Sequence, residues 1–164
     1  MILGTGFDLT ALPRIKALLE KHGERFLART LTSGELATLP SESARRTAYV
    51  AGRWASKEAA VKALGSGFSA GIGFHDVEVV TLDGGRPELR LHGRAQELAE
   101  EKGVKYLHVS ISHERDMAGA IVILEGRCLA VAFYTLSLLF ARVCRGVYLL
   151  ELLDIGVGVD LSSL

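Results

Sequence analysis

The sequence is poor in residues that cross-link a small fold or bind a transition metal. Its 164 residues include two cysteines, three prolines and one tryptophan. Cys128 and Cys144 lie near the end of the chain without the histidine pattern typical of a zinc site, and one pair of cysteines does not make a disulfide framework. We therefore expect a protein of a reducing compartment, the cytoplasm.

An excess of charge of one sign is also missing. The 19 basic and 19 acidic residues give a formal net charge of zero, and the sequence pI is about 7.0. This balance argues against nucleic-acid binding as the main function. The N-terminus has no basic segment followed by an apolar run, so we predict no secretory signal. The length fits one domain with a buried core.

The end of the chain is unusually apolar. Mean hydropathy is +0.27, and residues 128–141 carry no charge. That run is shorter than the roughly 20 residues needed to span a bilayer, and a longer one would include Arg142 and Arg145. We therefore expect no membrane span and divide the chain into a domain at 1–126 and an apolar extension at 127–164.

The extension has three possible interpretations. It could be an additional helix packed on the domain or in an oligomer contact, because its apolar residues have helical spacing. It could associate with a membrane, or it could be sequence translated past the natural end of the protein. The lack of turn and capping signals after Gly126 favours the last of these.

The strongest helix signal lies at 54–63. Alanine, lysine and glutamate dominate this stretch and favour a helix by propensity alone. Glu58 and Lys62 are one turn apart on the same face, and Trp54 lies one turn earlier on that face. An aromatic ring beside a carboxylate and an ammonium predicts a partly buried pair between Glu58 and Lys62.

A second carboxylate stands near the N-terminus. Residues 2–9 predict a short strand in which Gly4, Gly6 and Asp8 share one face, and the glycines would leave that face open to an anionic ligand. Two carboxylates far apart in sequence, near glycines and lysines, favour magnesium, which commonly takes one or two protein carboxylates together with phosphate oxygens. We predict that Asp8 and Glu58 jointly hold Mg²⁺ against a diphosphate. The alternative is an aspartate that only faces a turn.

The remaining elements place helices before most of the strands. A first helix ends at Gly23 with His22 on its inner stripe, and Thr32-Ser33-Gly34-Glu35 is a capping box. Ser41 or Ser43 would cap the central helix. This order predicts an α+β domain in which N-terminal helices surround a long central helix packed on an antiparallel sheet. The later elements are strands at 76–82, 88–91, 106–112 and 117–124 and a helix at 93–102.

The first helix is basic on its surface. Arg14, Lys21 and Arg25 lie within one short stretch. They form either an ordinary solvated face or a docking surface for an acidic partner protein.

A loop rich in glycine follows the central helix. Residues 65–73 include four glycines, which excludes a regular helix or strand. The loop is either a phosphate cradle beside Lys57 and Lys62 or a flexible connector.

Two motifs together resemble a known family. Gly6-Phe7-Asp8 near the start and Trp54-Ala55-Ser56-Lys57-Glu58-Ala59-x-x-Lys62 after it resemble the signature motifs of the phosphopantetheinyl transferases. The segment 108–113 and the early position of the first motif resemble the small bacterial type. Phe7 is a departure, because a smaller aliphatic residue is expected before the aspartate. The resemblance runs from Met1 to about Glu125 and implies the transferase fold.

The resemblance also implies an activity. These enzymes move the 4′-phosphopantetheine arm of coenzyme A onto a serine of apo acyl carrier protein and release adenosine 3′,5′-bisphosphate, a step that serves fatty acid biosynthesis. By this resemblance Asp8 and Glu58 bind magnesium with the coenzyme A diphosphate, and Lys62 lies beside that diphosphate. These three residues are the expected catalytic residues.

Further residues follow from the same resemblance. Members of the small type are homotrimers whose active sites lie between neighbouring subunits, and the acidic helix of the carrier protein docks on the basic first helix, here at Arg14, Lys21 and Arg25. The positions that line the coenzyme pocket match Arg53, Lys62, Gly65 and His113.

Two questions stay open at this point. The proton of the carrier serine could go to Glu58 or to a metal-bound water, and the residues do not distinguish them. A non-catalytic module that binds an acidic protein through the first helix is the competing function, and it predicts binding that ignores coenzyme A and magnesium.

Overall fold

The computed structural model describes residues 1–69 and 71–127, and it confirms the α+β class. The predicted extension lies outside these residues apart from Arg127. None of the helices in the described ranges is long and apolar enough to cross a membrane. The elements are β1 Ile2–Ala11, α1 Leu12–Thr30, α2 Ser33–Ala37, α3 Ser43–Leu64, β2 Val77–Thr81, β3 Pro87–Leu91, α4 Gly93–Glu101, β4 Val104–Glu114 and β5 Met117–Gly126.

The strands form two antiparallel sheets rather than the single sheet predicted. β1, β5 and β4 make a three-stranded sheet in that order, and β2 pairs with β3 as a separate hairpin. The first strand therefore pairs with the last one. The register places Asp8 opposite Ala120 and Thr10 opposite Ala118.

The central helix packs against one face of the three-stranded sheet. Small residues of α3, including Ala55, Ala59 and Ala60, are at most 1% exposed. They meet apolar side chains of β5 such as Val122 and Leu124, which alternate along the strand as a half-buried strand requires. Short side chains let α3 approach the sheet closely, and this brings the motifs on β1 and α3 together.

The first helix packs against the N-terminal half of α3, where Val50 and Ala51 lie in one apolar cluster with Ala118 of β5. It continues to Thr30, but Gly23 interrupts it with a left-handed φ of 47°, so the predicted break is present as a kink. Ile15 and Leu27 are buried in a second apolar cluster. His22, predicted on the inner stripe, is instead exposed.

Capping explains where the shorter elements begin. The predicted capping box is present, since Thr32 accepts from the Glu35 amide while the Glu35 carboxylate accepts from the Thr32 amide. The cap of α3 was predicted wrongly. Glu42 caps it by accepting from two amides, because its longer carboxylate reaches both where a serine reaches one.

Candidate functional site

Asp8, Glu58 and Lys62 converge where β1 crosses α3. The Lys62 ammonium donates a 2.7 Å hydrogen bond to Asp8 Oδ1 and a 3.3 Å bond to the Phe7 carbonyl oxygen. Thr10 donates to the other Asp8 oxygen at 3.1 Å. Thr10 was missed in the sequence, although it stands two residues after Asp8 and so faces the same side of the strand.

The predicted ion pair has a different partner. Lys62 pairs with Asp8 rather than with Glu58, because folding places an aspartate from another element closer than the carboxylate one helical turn away. The Glu58 carboxylate has no hydrogen-bond or ion-pair partner within residues 1–69 and 71–127. It therefore remains available to a ligand.

The pKa of Glu58 is raised from its ordinary value. Burial is the largest cause, repulsion from Asp8 is the next, and the charges of Lys62 and Arg14 oppose both. The pKa of Lys62 is raised as well, chiefly by its hydrogen bond to Asp8. The two carboxylates thus interact electrostatically, and a divalent cation between them would relieve their repulsion.

The donor set fits a hard cation better than a transition metal. The described ranges contain no group of three or more histidine, cysteine, aspartate or glutamate residues arranged to hold a metal. Magnesium is commonly bound by one or two carboxylates and completes its coordination with water and phosphate oxygens. Asp8 and Glu58 could supply those two carboxylates.

The open face predicted beside Asp8 is not open. Gly4 and Gly6 do share the face of Asp8, but α3 covers them, and a Cβ on Gly6 would lie 2.7 Å from the Ala63 nitrogen. The glycines let a helix approach the strand rather than a ligand.

The predicted pocket residues do not all lie in this cluster. Gly65 ends α3 one turn after Lys62, with a φ of 73°. Arg53 projects from a different side of α3 than Glu58, since a separation of five residues corresponds to about 140° around a helix. Its guanidinium donates to the Thr81 hydroxyl at 2.7 Å and lies 3.5 Å from the Tyr49 ring centroid.

His113 lies beyond the strand predicted at 106–112, but the observed strand is longer and includes it. It lies within β4, opposite Ala118 of β5, and it is exposed. β4 is separated from β1 by β5, so no described contact joins His113 to Asp8 within this chain.

Lys57 does not face the glycine loop as a phosphate ligand. It is fully buried, and its ammonium donates to Glu35 at 2.7 Å and to the Phe74 carbonyl oxygen at 2.9 Å. Burial lowers its pKa, while Glu35 opposes that shift. The capping motif revealed Glu35 as a helix cap, but no local pattern predicted its pairing with Lys57.

Two basic residues of α1, Arg25 and Arg29, line a cleft between α1 and the Trp54 side of α3. The cleft has a volume of about 890 Å³ and is lined by Arg25, Trp54 and Phe74 among others. The Arg14 guanidinium lies 5.8 Å from the Trp54 ring centroid, and its charge reaches Glu58. Lys21 is exposed on the same helix.

Comparison with known proteins decides the family. The model of the 4′-phosphopantetheinyl transferase superfamily matches residues 4–123, a range that contains both β1 and α3 motifs. The chain belongs to the 4′-phosphopantetheinyl transferase superfamily. It is therefore a transferase, and the matched range contains the cluster of Asp8, Glu58 and Lys62.

Relatives within this superfamily share one description. The chain is 50% identical over 125 residues to a holo-[acyl-carrier-protein] synthase of Maridesulfovibrio salexigens, covering 76% of this chain and 99% of the relative. It is 52% identical over 126 residues to a protein of the same name from Solidesulfovibrio magneticus, covering 77% of this chain and 100% of the relative.

Solved structures of this superfamily have the same fold. A holo-(acyl-carrier-protein) synthase of Bacillus anthracis in complex with CoA (3′,5′-ADP) superposes with a TM-score of 0.65 at 37% identity, covering 77% of this chain and 99% of that one. The holo-[acyl-carrier-protein] synthase of Neisseria meningitidis gives a TM-score of 0.69 at 36% identity, covering 76% of this chain and 99% of that one.

Proposed function

We propose that this transferase moves the 4′-phosphopantetheine group of coenzyme A to a serine of apo acyl carrier protein, with magnesium, in the cytoplasm and in the service of fatty acid biosynthesis. The observation that carries the proposal is the convergence of Asp8, Glu58 and Lys62 from two distant motifs. The names of the relatives and the coenzyme A bound to one solved neighbour support the same activity.

Asp8 and Glu58 would hold the magnesium ion. Their repulsion in the free protein, which helps to raise the pKa of Glu58, indicates a site that favours added positive charge. When bound, magnesium would neutralise the charge that develops on the diphosphate oxygens. Thr10 would keep one Asp8 oxygen oriented, because its hydroxyl donates to that oxygen and it is only 2% exposed.

The reaction breaks one phosphorus–oxygen bond and forms another. The serine oxygen of the carrier protein attacks the phosphorus that bears the pantetheine arm, and adenosine 3′,5′-bisphosphate leaves. Lys62 would orient the diphosphate for this in-line displacement. The serine proton would go to Glu58, whose raised pKa favours its protonated form, or to a water beside it.

The carrier protein would dock on the basic surface of α1. Arg14, Lys21 and Arg25 are exposed, and an acidic helix would find complementary charge there. Because the charge of Arg14 also reaches Glu58, a partner on this surface would present its serine near the site. Arg25→Glu should lower kcat/KM for the carrier protein and leave the KM for coenzyme A unchanged, as steady-state kinetics would measure.

A homotrimer would complete the site. The outer face of the three-stranded sheet exposes large apolar side chains next to Asp8: Phe7 is 57% exposed, Leu9 56% and Ile121 43%. Apolar surface of this kind is typical of an interface between subunits. Neighbouring subunits would then supply Arg53 and His113 to a coenzyme pocket that Gly65 borders. Sedimentation of the purified chain tests the assembly.

The transferase domain would be residues 1–126. The family match ends at residue 123, before the apolar extension at 127–164. A chain truncated after Gly126 should keep its activity and oligomeric state and gain solubility. Loss of either property would assign the extension a necessary role.

Mass spectrometry of the carrier protein tests the reaction itself. After incubation with coenzyme A and Mg²⁺, apo carrier protein should gain the mass of one phosphopantetheine group, and chelation of the metal with EDTA should prevent this. The basic surface of α1 also fits the competing binding module. A complex that forms equally well without coenzyme A and Mg²⁺, with no mass gain, would favour that module.

A further inference from the structure

The contact between β1 and α3 is made by backbone on both sides at Gly6. A Cβ added to Gly6 would lie 2.7 Å from the Ala63 nitrogen and 2.9 Å from the Ala59 carbonyl carbon, and it would overlap the Ala59 oxygen. Real Cβ atoms essentially never approach other atoms so closely. Because these obstacles are the main chain of a helix, no side-chain rotation can relieve the overlap.

This contact lies inside the cluster of functional residues. Gly6 is two residues before Asp8 and faces the same side of β1. On α3, Ala59 directly follows Glu58, and Ala63 directly follows Lys62. Any group that pushes the strand away from the helix at this point therefore changes the separation of Asp8 from both partners.

The cluster tolerates little change of that kind. Lys62 and Asp8 are 2.7 Å apart, a hydrogen-bond distance that a shift of one ångström would break. Magnesium requires near-ideal octahedral geometry with oxygen ligands at about 2.0–2.1 Å. Misplacement of a site by about 1 Å can cost about 100-fold in rate.

We infer that Gly6 is a positioning residue: its missing side chain sets the spacing between Asp8 on β1 and Glu58 and Lys62 on α3. The inference deepens the proposed function and rests on it. Gly4 distinguishes this role from general packing, since it makes a similar close contact with α3 at a greater distance from Asp8. A Cβ on Gly4 would overlap the Ala63 oxygen of the same helix, but Gly4 is twice as far along the strand from Asp8.

The test compares three variants of the full chain: Gly6→Ala, Gly4→Ala and Thr5→Ala, whose side chain is exposed between the two glycines. Mn²⁺, a paramagnetic substitute for Mg²⁺, is titrated into each in the presence of coenzyme A and followed by electron paramagnetic resonance. Urea unfolding gives the stability of each variant, and transfer assays give the KM for Mg²⁺ and kcat.

The inference predicts a loss of Mn²⁺ affinity that becomes smaller as the substituted residue lies farther from Asp8. Gly6→Ala should weaken Mn²⁺ binding about tenfold or more, Gly4→Ala about threefold, and Thr5→Ala not at all. Both glycine variants should be less stable than the original chain. If Gly6→Ala does not fold, the comparison of Gly4→Ala with Thr5→Ala decides, and unchanged Mn²⁺ affinity in Gly4→Ala would overturn the inference.

Other outcomes separate this inference from the proposed function. Equal losses of Mn²⁺ affinity in the two glycine variants would indicate general packing and overturn the positioning role. A Gly6→Ala variant that binds Mn²⁺ like the original chain would overturn it alone. An original chain that binds no Mn²⁺ would overturn the proposed metal site and this inference with it.

Discussion

Helix α3 carries two lysines that bind carboxylates at the same distance in opposite surroundings. Lys57 and Glu35 are 2.7 Å apart, with side chains 0% and 1% exposed. Lys62 and Asp8 are also 2.7 Å apart, but the lysine side chain is 48% exposed. Burial lowers the pKa of Lys57, whereas the hydrogen bond to Asp8 raises that of Lys62. Distance alone therefore does not tell which pair is structural.

The partners around each pair explain the difference. Glu35 also accepts from the Thr32 amide at 2.8 Å and the Val79 amide at 3.0 Å. The Glu35 carboxylate thus has donors for both oxygens and links α2 to α3 and β2. In the described part of the chain, the Asp8 carboxylate accepts hydrogen bonds only from Thr10 and Lys62. The nearby Glu58 carboxylate has no hydrogen-bond or ion-pair partner there. The buried pair links elements of the fold, and we propose that the less buried cluster binds a ligand.

The largest expected effect comes from breaking the buried pair. Lys57→Met should destabilise the protein by about 3–5 kcal/mol, because it leaves the Glu35 carboxylate buried without its cation. Urea unfolding measures this loss. The double variant Glu35→Gln with Lys57→Met should recover part of it, since the amide keeps an acceptor without a charge. A single variant as stable as the original chain would contradict the structural role.

Substitution of the second lysine, about one and a half helical turns later, tests whether the two ion pairs have different roles. Lys62→Met should change the free energy of unfolding by about 1 kcal/mol or less, because exposed ion pairs contribute little. It should lower kcat by about 100-fold through loss of the charge that orients the diphosphate. Urea unfolding and transfer assays on one preparation measure both. The reverse result, a large stability loss with full activity, would exchange the roles of the two lysines.

The smallest expected effect is a gain in stability from Glu58→Gln. The raised pKa means that folding favours protonated Glu58, so this contribution to stability is fully present below the ordinary value of 4.5 and is lost as pH rises through the folded pKa. At neutral pH the charged side chain is thus a small cost that glutamine removes. The urea midpoint of the variant should exceed that of the original chain at pH 7 but not at pH 4.

The protonation of Glu58 also affects metal binding. Mg²⁺ binding should weaken as pH falls through the raised pKa of Glu58, because the neutral carboxyl is a poor ligand for the ion. Titration calorimetry at several pH values tests this direction. Affinity that rises as the pH falls would contradict a role for Glu58 as a ligand.

Local patterns predicted the elements better than their contacts. The capping box at Thr32 and Glu35, the central helix and the alternation of β4 follow from signals within a few residues of each other. The partner of Lys62 and the burial of Lys57 do not, because Asp8 and Glu35 come from elements distant in sequence. Periodicity placed Gly4 and Gly6 on the face of Asp8, but it could not show that a helix covers that face.

The proposed homotrimer would limit the prediction of the site further. The resemblance to the family named Arg53 and His113, yet neither joins Asp8 within one chain. A single sequence carries no signal for a residue that would act on a neighbouring subunit. The exposure of Phe7 and Ile121 also follows only from the three-dimensional arrangement of the sheet.

Transfer of phosphopantetheine by Asp8→Ala and Glu58→Ala tests the central claim most directly. Each purified variant is incubated with coenzyme A, Mg²⁺ and apo carrier protein, and the carrier mass is followed over time while urea unfolding confirms that the variant is folded. We expect no mass gain from either folded variant. Transfer at the original rate by either one would contradict a shared magnesium site on β1 and α3.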